Sequence, residues 1–102
     1  MIKIKFSVEF ARDYVLSKER SMRGGPIEHL RECIVNMVGP DNKVSMKGTT
    51  YTDCNMLIQL NDMSYAKFEE KLWQTLEDEF QIGKGTKNCK INLEQIDTEE
   101  LA

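Results

Sequence analysis

Ile2, Ile4, Phe6, Val8 and Phe10 alternate with Lys3, Lys5, Ser7 and Glu9 at the start of the chain. Successive strand side chains point to opposite faces, so this alternation predicts a strand with one packed face and one wet face. Residues 11–25 are less regular. Ala11, Tyr14, Val15 and Lys18 allow a helical turn or two, and SKERSMRGG then reads as loop. Pro26 suits the first position of a helix, where its missing N–H would have had no partner. Ile27, Leu30, Cys33, Ile34, Met37 and Val38 follow at helical spacing, with Glu28, Arg31, Glu32 and Asn36 mostly outward. That predicts a helix over 26–38, capped by Gly39 in a left-handed conformation and ended by Pro40. The competing reading is one longer helix starting near residue 11 and interrupted at Gly24–Gly25.

Asp41-Asn42 marks a turn. KVSMKGTTYT (43–52) and NMLIQLN (55–61) then read as strands, with a bulge at Gly48. Asp53-Cys54 is the expected hairpin connection, with Gly48-Thr49 as its competitor. Asp62 or Ser64 caps the next helix, in which Tyr65, Phe68, Leu72, Trp73, Leu76 and Phe80 recur at steps of three and four. Gly83 is the expected stop, and KGTKN (84–88) the turn that follows. Cys89, Ile91 and Leu93 alternate with Lys90, Asn92 and Glu94, which predicts a final strand.

Strand, helix, strand, strand, helix, strand is an α+β order. It most simply builds a ferredoxin-like split βαβ sandwich (βαββαβ): a four-stranded antiparallel sheet in the order 4-1-3-2, with two helices on one face. A length of 102 residues suits one such domain, taken as 1–97, with 98–102 a short acidic tail. No apolar run approaches the ~20 residues of a membrane span. The alternating N-terminus also lacks the apolar centre of a signal peptide, so a cytoplasmic protein without membrane contact is expected.

Three widely spaced cysteines and a single histidine do not form a Cys/His zinc pattern. Cys33, Cys54 and Cys89 are expected to be reduced and mostly buried. No metal or other cofactor is expected. Net charge is −3 but uneven: residues 1–60 carry nine Lys/Arg against seven Asp/Glu, and residues 61–102 carry five against ten. A basic contact face and an acidic one can therefore coexist.

RSMRGGP (20–26) is the leading candidate site. Lys18, Arg20 and Arg23 place cations beside Gly24 and Gly25, just before a helix N-terminus, an arrangement suited to an anion or an acidic partner. It is neither a Walker loop nor a dinucleotide fingerprint. Met22, beside the arginines, reads as an adaptable contact. On the second long helix, Glu69, Glu70, Glu77 and Asp78 form an acidic surface suited to a protein contact. His29 is expected to point outward as a solvated side chain, away from Cys33.

The open sheet face should expose Lys3, Lys5, Ser7, Glu9, Leu57, Gln59, Asn61, Lys90, Asn92 and Glu94, with Ser45, Lys47 and Tyr51. Pairing is expected to set Lys3 near Glu94 and Glu9 near Lys90. RNA-recognition domains share this topology but stack bases on central-strand aromatics, which these positions lack. The expected function is a small, non-enzymatic binding protein that regulates or inhibits a macromolecular partner. Its size suits a viral or mobile-element inhibitor of a host or defence enzyme. A protein partner leads. A nucleic-acid or nucleotide module using the 18–25 loop is the alternative, and a homodimer binding a small molecule between sheet faces is the third.

Overall fold

The computed structural model describes residues 1–22, 24–83 and 89–96. Its elements are β1 (Ile2–Phe10), α1 (Arg12–Lys18), α2 (Gly25–Val38), β2 (Lys43–Thr49), β3 (Asp53–Leu60), α3 (Tyr65–Phe80) and β4 (Cys89–Ile96). The strands form one antiparallel sheet in the order β2-β3-β1-β4. Arg23, the expected 84–88 turn and the expected tail lie outside the described residues, as does Asp97.

β1 takes its central place from its alternation. Ile4, Phe6, Val8 and Phe10 are buried, whereas Lys5 and Glu9 are exposed. The inward row of β1 meets Cys54, Met56, Ile58 and Leu60 on β3 and Cys89, Ile91 and Leu93 on β4. Above this floor lie Leu30, Ile34 and Val38 of α2 with Phe68, Leu72, Leu76 and Phe80 of α3, in one continuous core. The helices therefore cover one face of the sheet only.

Three helices are present where the sequence pattern predicts two. α1 has seven residues, too short for a helical period to show, and offers the core only Tyr14 and Val15. Its placement comes from tertiary contacts. The Tyr14 ring stacks on Phe10 at 5.3 Å, Phe10 stacks on Phe80 at 5.9 Å, and the Tyr14 hydroxyl donates to the Phe80 carbonyl at 2.9 Å. Burial, and secondarily Cys89, pushes that phenol up to about 12.

Several boundaries also shift. α2 begins at Gly25, one residue before Pro26. β2 and β3 turn through Thr50, Tyr51 and Thr52 rather than at Asp53-Cys54. Cys54 is buried in the ladder opposite Val8 and Thr49, which excludes it from a turn. The Thr50 hydroxyl accepts from the Thr52 and Asp53 amides at 3.3 and 3.1 Å, closing the turn. The ladder shifts register between Met46 and Gly48, a bulge at the glycine.

Ser64 caps α3 by accepting from the Lys67 amide at 3.1 Å. The helix stops at Gln81, not Gly83. Gln81 has φ +56, and its amide donates to the Glu77 carbonyl while the Ile82 amide reaches Leu76. This is an αL ending, closed by the bond from Gln81 to Glu77, whose left-handed position holds a non-glycine residue; Ile82, buried, follows it.

Asn42, a buried polar residue, ties the end of α2 to the connection between β3 and α3. Its amide nitrogen donates to the Val38 carbonyl at 2.6 Å and to Asp62 at 2.7 Å, and its oxygen accepts from the Asn61 amide at 2.6 Å. Replacing Asn42 with Ala strands these groups and is expected to cost about 2 kcal/mol in urea denaturation. Gln81→Gly relieves the left-handed strain and is expected to add about 0.5–1 kcal/mol by the same assay. A destabilised Gln81→Gly chain would show that the glutamine side chain outweighs its backbone strain.

Candidate functional site

The face of the sheet opposite the helices is built from two rows running across the strands. Asn55, Ser7 and Asn92 form one, with Lys47 beside it at the β2 bulge. Ser45, Leu57, Lys5 and Glu94 form the other. Small Ser7 on the central strand leaves a dip between its larger neighbours. The result is a groove of about 440 Å³ lined by Lys5, Ser7, Lys47, Asn55, Leu57, Asn92 and Glu94, with Phe6 and Met56 at its floor. Its hydroxyl and amide groups both donate and accept hydrogen bonds, and charged ends flank them.

By register this face carries Lys3, Lys5, Lys43, Lys47 and Lys90 with Glu9, Asp53 and Glu94. Lysines outnumber carboxylates, in a protein that is acidic as a whole. Glu9 lies across from Lys90, but Glu94 faces Lys5, because Ile96 occupies the position opposite Lys3. Tyr51 is not on this face. It sits in the β2–β3 turn and donates its hydroxyl to Glu19, which raises its pKa.

The 18–25 segment is more firmly tied down than its composition suggests. Lys18 donates to Gln81 Oε1 at 3.2 Å and lies 5.7 Å from the Tyr14 ring centroid. Met22 is buried in the core rather than offered as a contact. Its amide and carbonyl bond to the Lys18 carbonyl and the Gly25 amide, both at 2.9 Å. Gly24 and Gly25 take φ +79 and +88, a backbone that explains the pair without a ligand. They border a crevice of about 260 Å³ with Thr49, Thr50, Tyr51 and Glu28. An anion entering there would meet the Glu28 carboxylate, held below its usual range by the Arg31 guanidinium. Arg20 is exposed, and Arg23 lies outside the described residues.

The acidic surface of α3 is divided. Glu70, Glu77 and Asp78 are exposed, with Lys67 4.0 Å from Glu70, whereas Glu69 is half-buried on a different side of the helix. Asp78 also lines a crevice between α2 and α3.

His29 departs furthest from expectation. It is half-buried, tilted on the Phe80 ring at 5.3 Å, with Nε2 3.4 Å from Glu79 Oε2. Cys33, one turn along α2, joins them. Burial raises the Cys33 thiol pKa, and the Glu79 and Glu32 charges raise it further, the wrong direction for a nucleophile. The signal for this grouping was the four-residue spacing of His29 and Cys33. Their partner Glu79 comes from another helix, which no local pattern shows.

All three cysteines are free thiols. Burial pushes Cys54 up to about 11 and Cys89 up to about 12, with Asp53 and Cys54 respectively adding to it. Among the described residues, no helix is long and apolar enough to cross a membrane. No family model, curated protein or solved structure matches the chain.

At pH 8 the native chain is expected to react slowly with iodoacetamide at Cys33 and far more slowly at Cys54, both rising together on unfolding. Mass spectrometry after timed quenching reads this directly. Rapid native labelling of Cys54 would contradict the burial on which its raised pKa rests.

Proposed function

We propose that this chain is a small binding protein that regulates or inhibits a macromolecular partner through its open sheet face. The groove around Ser7, between Asn55 and Asn92, carries the reading. A sheet with helices on one side must still present its other side to something, and here that side is indented, hydrogen-bond-capable and rich in lysine. A protein segment bearing carboxylates, with one or two side chains small enough to enter the dip, suits these features. Regulation by occupancy requires no reaction at the site, in keeping with a non-enzymatic role and with the size of a virus- or mobile-element-borne inhibitor. Within the same reading, the architecture is a ferredoxin-like split βαβ sandwich with α1 added in its first crossover. A homodimer through the same face is the rival occupant. The 18–25 loop supports a nucleic-acid reading less well, because Lys18 is engaged and Glu28 borders the glycines.

Ser7→Arg with Leu57→Arg fills the dip from the wet side of the sheet and leaves the core row unchanged. Nuclease-treated pull-downs are expected to recover a protein with the native chain, and with a Glu70→Lys/Glu77→Lys control, but not with the groove variant. Capture that survives the groove substitutions would overturn the assignment of the face. Capture lost on nuclease treatment would point to nucleic acid, and a concentration-dependent dimer abolished by the same substitutions would favour self-association.

A further inference from the structure

We infer that His29, Cys33 and Glu79 form a binding site for a divalent transition metal, zinc above all, at the junction of α2 and α3. One ligand atom from each lies within 4.8 Å of the others. Tetrahedral zinc, with bonds of about 2.0–2.3 Å to nitrogen, oxygen and sulfur, sets its ligands about 3.3–3.8 Å apart. The 3.4 Å separation of His29 Nε2 and Glu79 Oε2 already falls in that range. The thiol needs only a side-chain adjustment to reach it.

The fold brings these residues together by two independent means. His29 and Cys33 are four apart on α2, hence on one face of that helix. Glu79 lies in the last turn of α3, held beside α2 by Phe80, whose ring is fully buried and carries the imidazole. Imidazole, thiolate and carboxylate are a borderline donor set that favours zinc over calcium or magnesium, which prefer oxygen alone. Three protein ligands leave a fourth position open, and Glu79, itself exposed, sets the cluster where water can fill it.

The surroundings favour a cation on balance. Asp78 lines the adjoining crevice and Glu32 acts on Cys33, while Lys71 at the same crevice offsets part of that charge. A metal here replaces the weak His29–Glu79 contact with a bond between the middle of α2 and the last turn of α3. Its role would be to staple the helix layer, independent of the sheet-face groove.

The test uses the full-length, untagged, reduced chain with Zn²⁺ and Co²⁺ alone as probes. The expected result is one metal per chain by calorimetric titration and a thiolate-to-cobalt charge-transfer band on Co²⁺ addition. Cys33→Ser should remove the band, and His29→Gln and Glu79→Gln should each weaken zinc binding by at least about tenfold. Zinc should also raise the melting temperature of the native chain and of the Ser7→Arg/Leu57→Arg chain, and raise that of His29→Gln by less at the same zinc concentration. No saturable binding would overturn the site. So would a cobalt band that persists in Cys33→Ser, which would place the metal on Cys54 or Cys89. Zinc affinity unchanged in both His29→Gln and Glu79→Gln would do the same.

Discussion

The row Ile4, Phe6, Val8, Phe10 is the constraint on which the rest of the molecule depends. β1 is hydrogen-bonded to strands on both sides, so a one-residue slip would turn four large apolar side chains out to water and bring Lys5 and Glu9 inside. At roughly 1.5–3 kcal/mol for each large side chain, that penalty is comparable with the whole stability of a small domain. Both neighbours are therefore locked in register by the central strand. Phe10 at its end then fixes more than the sheet, because Tyr14 and Phe80 stack on it from two different helices.

Elements whose own length displays their period were legible in the sequence. β1, β3 and β4 show alternation over several residues, and α2 and α3 show three- and four-residue steps over several turns. α1 was legible only as a helical turn or two, or as the start of one interrupted helix, since two buried residues in seven cannot establish a period. Its contacts come from Phe80, 66 residues away from Tyr14. The α3 ending was misread for a related reason. Glycine is the usual left-handed residue, but Gln81 takes that conformation because Ile82 must be buried one residue later. Tertiary burial outweighed local backbone preference at both places.

The candidate surfaces divide in the same way. Outward residues of the sheet follow from alternation, so Lys5, Ser7, Leu57, Asn92 and Glu94 were readable as a set. That they form a groove was not, because the dip depends on which residues stand opposite Ser7. The shift of Glu94 from Lys3 to Lys5 shows how two residues of register rearrange such a surface. RSMRGGP was prominent in sequence because cations and glycines cluster there. In the fold, Met22 plugs the core, the glycines provide positive φ, and Lys18 turns to Gln81 and Tyr14.

The uneven charge of the chain becomes an asymmetry in space. Lysines of β1 and β2 collect on the bare face of the sheet, whereas α3 carries its acids on the opposite side of the molecule. The two layers need not respond to the same ligand. On the outward face of the sheet Lys5 and Asn55 are exposed, whereas Ile96, opposite Lys3, is buried. The helix layer is constrained by burial up to the edge of the α2–α3 seam, where His29 still leans on Phe80 while its nitrogen reaches Glu79. A polar cluster at that edge acts on the core through the ring beneath it. The α2–α3 seam therefore borders the core directly, through the Phe80 ring on which His29 leans.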